Sequence, residues 1–220
     1  MPKLRVHNLA VSLDGFATGE GQALETPFGH AGNRLMTWFF PTHTFVSMAG
    51  HDGEAVGDGT RGVDDAFAAA TNRGIGAEIM GRNKFGPQRG PWVDESWRGW
   101  WGEEPPFRSP VVVLTHHHRP DLVLGETTFL FRELSPRDAL ALATDLAGGL
   151  DVRLGGGPTV VREFLDADLV DYLHVVVVPI LLGRGVRLWH DLESLEDRFA
   201  IEATASPSGA VHYVFTRIGG

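Results

Sequence analysis

Gly155-Gly156-Gly157 constrains this chain more than any other stretch. Before it, Asp151-Val152-Arg153-Leu154 is short and ends apolar, which predicts a strand. After it, Pro158 is followed by Val161, Phe164 and Leu165 at helical spacing, so a helix opens directly behind the glycines. Pro158 suits a first helical position, where a missing N–H costs nothing. A strand, a bare glycine turn and a helix N-terminus together make an anion seat. The backbone can approach a phosphate with no Cβ in the way, and the unpaired N–H groups and helix dipole point at it. The same turn can also be purely structural.

The surrounding pattern predicts the frame that would carry such a seat. Leu4 to Val11 reads as an opening strand leading into Ser12-Leu13-Asp14-Gly15-Phe16. Thr18 to Thr60 is loop-rich, with one helix expected around Asn33 to Phe40, and Asp64 to Asn72 is an alanine-rich helix stopped by Gly74. Ala77 to Met80 is a strand running into Gly81-Arg82, and Val111 to Leu114 is a strand apolar on both faces. Between them, Gly86 to Pro110 is dense in Gly, Pro and Trp and too long for an ordinary connection. Ser135 to Ala147 is the clearest helix: Ser135 can cap it, Pro136 fits its first turn, and Ala139, Leu142, Ala143 and Leu146 form one face. Tyr172 to Val178, Phe199 to Ala203 and Val211 to Thr216 are further strands. Alternating strands and helices predict an α/β fold: a largely parallel sheet covered on both faces, with an antiparallel C-terminal edge. No repeat or composition break divides it, so one domain over residues 1–220 is expected.

Composition excludes several function classes. The formal net charge of −9 argues against bulk attraction to nucleic acid or an anionic membrane. Cysteine is absent, which removes disulfides, thiolate zinc sites and cysteine nucleophiles. His7, Asn8 and Asp14 stand where a signal peptide would need an apolar stretch, so a cytoplasmic location is expected. The apolar run near Leu173 to Leu182 is interrupted by His174 and Pro179 and is too short to span a bilayer.

Two further turns could carry chemistry. Met80-Gly81-Arg82-Asn83 ends an apolar strand with a glycine followed by a guanidinium, whose planar fork suits phosphate oxygens; Asn83 can cap the next helical turn. Leu114-Thr115-His116-His117-His118-Arg119 ends the buried strand. Neighbouring histidines in an extended segment point to opposite faces, so the run is not read as a metal site; Thr115, His116 and Arg119 suit a phosphate or an adenine. All three turns lie at C-terminal ends of expected strands, where α/β sheets bind ligands, and together they suit a dinucleotide. The G-x-G-x-x-G fingerprint is absent, which disfavours a standard Rossmann dehydrogenase.

Asp14, Asp64 and Asp65 are candidate acids, although Asp-Gly is a common turn pair and first-turn acids complement a helix dipole. Trp92, Trp97, Trp100 and Trp101 suit either a substrate pocket or packing of the long loop. His174 reads as a core or interface histidine.

These motifs, taken in order with Pro179-Ile180-Leu181-Leu182-Gly183-Arg184-Gly185, resemble the dihydrofolate reductase-like family. The nearer resemblance is to the branch holding the reductase domain of bacterial riboflavin-biosynthesis deaminase-reductases. It implies a three-layer α/β/α fold, NADPH as cofactor and a homodimer. By that resemblance Gly81, Arg82 and Asn83 would hold cofactor phosphates, and Thr115 and His116 would lie near the adenosine 2′-phosphate. Gly155, Gly156, Gly157, Thr159 and Val160 would cradle the pyrophosphate, and Ala10 with Asp14 to Phe16 would border the nicotinamide. Pro179 to Gly183 would be a closing loop, and the helix carboxylate that assists proton transfer would be Asp65, with Asp64 beside it. The implied activity is NADPH-dependent hydride transfer to a C=N or C=O bond of a small heterocyclic or ribosylated substrate. The closest named activity is 5-amino-6-(5-phosphoribosylamino)uracil reduction; pterin reduction and NADPH binding without turnover are the alternatives. With no cysteines, the zinc-dependent deaminase step is excluded.

Overall fold

A computed structural model describes residues 2–49 and 57–219 of the chain. Its strands are β1 (Leu4–Ser12), β2 (Phe16–Thr18), β3 (Ile75–Gly81), β4 (Pro110–Leu114), β5 (Leu122–Leu124), β6 (Thr127–Arg132), β7 (Asp151–Leu154), β8 (Tyr172–Val178), β9 (Val186–Arg187), β10 (Phe199–Ala205) and β11 (Val211–Arg217). Its α-helices are α1 (His43–Ala49), α2 (Val63–Ala69), α3 (Arg82–Phe85), α4 (Pro136–Leu146) and α5 (Pro158–Asp166). Nine strands form one sheet in the order β10-β11-β8-β1-β7-β3-β4-β6-β5. The run from β8 to β6 is parallel, and antiparallel pairing is confined to β11 and β10 at one edge and β5 at the other. The expected mostly parallel sheet with an antiparallel C-terminal edge is therefore present, and β5 adds a second antiparallel edge.

One face of the sheet packs on α4 and α5. Val6, Ile79, Val112, Leu154 and Val175 meet Ala139, Ala143, Val161 and Phe164 there in a continuous apolar cluster. α4 starts as its sequence predicts: Ser135 Oγ accepts from Asp138 N–H at 3.2 Å, and Pro136 fills the first turn. The other face carries two separate apolar clusters. One gathers Ala10, Phe16, Leu35, Trp38 and Val176; the other gathers Met80, Phe85, Val113, Phe129 and Phe131 with Trp92, Trp97 and Trp101 of the long loop.

The helix expected at Asn33–Phe40 is not formed. A 3-10 segment spans Gly29–Met36, broken at Gly32 (φ 53°, ψ −146°), and the true helix is α1, further along. Its start is set by Thr42, whose Oγ1 accepts from Phe45 N–H at 3.2 Å, a capping signal present in the sequence. The β5–β6 hairpin is a second departure from the expected element order. Its signal is the alternation Thr127, Phe129, Phe131 facing inward behind the two-residue Gly125-Glu126 turn, with Gly125 at φ 52°.

Candidate functional site

The glycine turn lies at the centre of the parallel sheet's C-terminal edge, as its position after a central strand requires. β7 and β3 remain joined beyond their regular pairing: Gly155 N–H donates to Ile79 O and Gly81 N–H to Gly156 O, both at 2.8 Å. This closeness excludes side chains. A Cβ on Gly81 would stand 2.7 Å from Val160 Cγ2, and one on Gly155 would stand 2.1 Å from Glu78 Oε1. Gly156, at φ +97°, and Gly157 face open space instead, and the peptide between them is cis. Gly157 is the N-cap of α5 and makes no side-chain capping bond, so the first N–H groups of the helix are left for another acceptor. Gly81, Gly155, Gly156, Gly157, Thr159 and Val160 are thus brought together.

Beside this seam, Arg82 opens α3. Its guanidinium lies 3.8 Å from the centre of the Trp92 ring and donates to Gly90 O, while Nε and Nη2 are buried with no partner. Burial, then the charges of Arg89 and Arg119, lower its pKa, so an anion here would relieve both the desolvation and the repulsion. Asn83 accepts from Arg89 through its side chain and from Gln22 Nε2 through its carbonyl. Thr115 is buried at the end of β4, where its Oγ1 accepts from His117 N–H at 3.1 Å. His116 is exposed and paired with Glu133 at 2.9 Å. Arg119 does not face a ligand: it is 3% exposed, ringed by Phe85, Trp92 and Phe131, and donates to the Glu95 and Trp97 carbonyls. It fixes the long loop, whose tryptophans pack on the body.

Ala10, near the end of β1, is buried in the Trp38 cluster. Asp14 works as a staple. Its Oδ1 accepts from the Ser12 hydroxyl at 2.6 Å and from Leu182 N–H at 3.1 Å, and its Oδ2 accepts from Gly183 N–H at 2.7 Å. The Ser12 hydroxyl first, then these backbone N–H groups, outweigh desolvation and hold the carboxyl at a pKa of about 2. The loop after β1 is thereby tied to the loop after β8.

Asp64 and Asp65 point different ways, because adjacent helical residues are about 100° apart. Asp65 Oδ1 accepts from Thr44 N–H at 2.7 Å and serves the N-terminus of α1. Burial works to raise its pKa and is outweighed by the Thr44 N–H and hydroxyl and by the His43 and Arg61 charges, leaving it lowered. It is Asp64 that turns to the sheet, where its Oδ1 accepts from His212 Nε2–H at 2.8 Å.

Between the two apolar clusters on this face runs a polar band. Glu78, 2% exposed, is held by Lys84 at 2.7 Å and by Arg153 at 2.6 Å, and Arg153 also donates to Asn72. Lys84 reaches back beneath Gly155. Burial lowers its pKa to about 8, with Arg153 adding to the shift and Glu78 opposing it. His7 is pushed to about 3 by burial and then by the Arg5 and Arg153 charges. Arg153 Nε, His7 Nε2 and Asn8 Oδ1 are buried without partners. A small cleft of about 30 Å³, lined by Asn72, Ile75, Glu78, Phe107 and Ser109, opens onto this band. Sequence reasoning passed over Glu78, Lys84 and Arg153, yet for Glu78 and Arg153 a signal existed: charges inside central parallel strands, which are ordinarily apolar on both faces.

Comparisons with known proteins bear on the fold. A protein assigned to riboflavin biosynthesis from Shewanella sp. PV-4 superposes with a TM-score of 0.56 at 22% identity, covering 99% of each chain. A pyrimidine reductase-like protein from Corynebacterium diphtheriae gives 0.51 at 16% identity over 100% of this chain and 93% of the other. The diaminohydroxyphosphoribosylaminopyrimidine deaminase/5-amino-6-(5-phosphoribosylamino)uracil reductase of Thermotoga maritima gives 0.54 at 13% identity, and the match spans 99% of this chain and 57% of that one. The uncharacterized protein YwjB of Bacillus subtilis (strain 168) is 32% identical over 68 residues, which is 30% of this chain and 38% of that protein. Residues 2–208 match the RibD C-terminal domain, so the chain belongs to the RibD C-terminal domain family.

Proposed function

We propose that the protein is an NADPH-dependent reductase acting on a C=N or C=O bond of a small heterocyclic or ribosylated substrate. The observation that carries this reading is the seam at Gly81 and Gly155–Gly157, where neither Gly81 nor Gly155 has room for a Cβ and the glycines lead into the uncapped start of α5. The residues fit the cofactor: Thr159 and Val160 offer backbone N–H groups for a pyrophosphate, and Arg82 has two buried donor atoms without partners. Thr115 and His116 stand at the next strand end, where a 2′-phosphate would be read. The hydride would come from NADPH held along this edge.

The chain's own residues orient and enclose. Asp14 holds the loop after β8 against the loop after β1. The polar band holds both kinds of buried unpaired group, a donor at Arg153 Nε and an acceptor at Asn8 Oδ1. The activity in the name of the Thermotoga relative, 5-amino-6-(5-phosphoribosylamino)uracil reduction, is the first to assay.

The test is direct. Gly157 has a negative φ of −75°, and a Cβ added there would meet nothing within 4 Å, so Gly157→Val should fold and fill the seat. NADPH affinity, followed by fluorescence titration, should fall about 100-fold or more for a blocked pyrophosphate contact. Unchanged affinity in folded Gly157→Val would end the reading. NADPH oxidation with the aminouracil riboside, dihydrofolate and simple quinones then separates the substrates, and tight binding without turnover on any of them marks a binding module. The family reading also brings a homodimer, which light scattering at two concentrations checks.

A further inference from the structure

His174 on β8 and His212 on β11 are both 0% exposed, and the coenzyme reading makes no use of either. Their rings lie 5.2 Å apart and nearly parallel, and Phe67 of α2 stacks against both, at 4.4 and 4.3 Å. The Trp38 edge closes on His212 at 5.3 Å. A single chain of hydrogen bonds runs through them. Asn8 N–H donates to His174 Nδ1 at 3.2 Å, His174 Nε2 meets His212 Nδ1 at 3.0 Å, and His212 Nε2 meets Asp64 Oδ1 at 2.8 Å.

The first link decides the rest. A backbone N–H can only donate, so His174 Nδ1 accepts and its proton is on Nε2. That proton makes His212 Nδ1 an acceptor and places the second ring's proton on Nε2, aimed at the carboxylate. Neither ring has a position for a second proton: charging either would set two N–H groups against each other. Burial, with the His212 and His7 charges, moves His174 the same way, to about 3. The other groups around the pair are apolar or aromatic, apart from Asp64 on α2 and His7 and Asn8 on β1. Because the chain begins at a peptide amide, which does not surrender its proton at neutral pH, it is a tether and not a proton wire.

The tether ends level with the reacting edge. His212 is in register with Val176, and Val176 with Ala10, so the three share one row across the sheet. We propose that His174 and His212 are positioning residues that fix Asp64 through Oδ1, so that the orientation of this helix carboxylate depends on two rings buried in the sheet. This rests on the reductase reading for its consequence in turnover, while the tether itself is a property of the chain alone.

The experiment uses the full-length protein labelled with ¹⁵N. Two-bond ¹⁵N–¹H spectra at pH 7 should show both histidines neutral and protonated on Nε2. His174→Phe removes the donor that orders His212. Its kcat with NADPH and 5-amino-6-(5-phosphoribosylamino)uracil should fall about 10- to 100-fold, the scale of a misplaced group, with NADPH affinity unchanged. His174→Gln restores an N–H donor and should recover most of the lost kcat. A charged ring or an Nδ1–H tautomer at pH 7 in the wild type overturns the proposal, and so does a folded His174→Phe with unaltered kcat. If the wild type does not turn over, the activity reading fails and the spectra alone decide the tether. If His174→Phe does not fold, the wild-type spectra and His174→Gln decide it.

Discussion

Beneath α4 and α5 the sheet presents Val6, Ile79, Val112, Leu154 and Val175, each no more than 1% exposed. One residue away along the same strands, on the opposite side, Glu78, Arg153, Arg5 and Tyr172 stand in a single register row across β3, β7, β1 and β8. The first face is continuous; the second is split into two apolar clusters by charge. Burying ions in central strands is costly unless each is paired, and here Arg153 Nε remains unpaired. The contrast separates a face that stabilises the fold from one that the proposed function would keep polar for a ligand.

The largest effect that would test this contrast is on the apolar side. Phe164→Ala should lose about 3–5 kcal/mol in urea unfolding while the folded fraction keeps its NADPH affinity. If coenzyme binding fell in proportion, the two faces would not be separable. Replacing the ion cluster as a set, Glu78→Leu with Lys84→Met and Arg153→Leu, should be neutral or stabilising by about 1–4 kcal/mol and should abolish turnover. Loss of stability with retained turnover would reverse the roles assigned to the band.

A smaller effect comes from Lys84 alone. Its folded pKa of about 8 lies below the ordinary lysine value of 10.5 that the unfolded chain keeps, so between these values the unfolded chain binds more protons. Stability should therefore rise with pH across that window, by at most about 1.4 kcal/mol per pH unit, and Lys84→Met should remove the rise in a pH series of urea titrations. The smallest effect belongs to Asp14. Its depressed pKa means that its support is present above about pH 4 and lost as pH falls from 3.8 toward 2. Asp14→Ala should speed hydrogen exchange at the Leu182 and Gly183 amides and weaken NADPH binding a few-fold, with little change in unfolding. Unchanged exchange at those amides would remove the staple.

Much of the frame is legible in the sequence because its signals are local. Ser135-Pro136 opens α4, Pro158 opens α5, and the apolar runs at Val111–Leu114 and Tyr172–Val178 are strands. The early part is harder. Thr42 competes with several polar residues for the role of cap, and α1 gains its place partly from Asp65, 21 residues away in sequence. The β5–β6 hairpin is masked because its strands are short and the first of them follows directly on the polar histidine run. In the site, the glycine turns are legible as turns, but the partners of Asp64 and Glu78 are not. His212, the partner of Asp64, and Arg153, a partner of Glu78, lie on strands distant in sequence.

Local sequence determined where backbone can approach backbone, since glycine's missing Cβ and proline's fixed φ act within a few residues of themselves. Tertiary structure alone decided which of two neighbouring aspartates faces the sheet, which arginine is spent on holding a loop, and that two histidines 38 residues apart share one hydrogen-bond chain to Asp64. The physical reason is directional: a charge or a ring proton has its effect over a few ångströms and along a bond axis, and only packing sets those distances and axes.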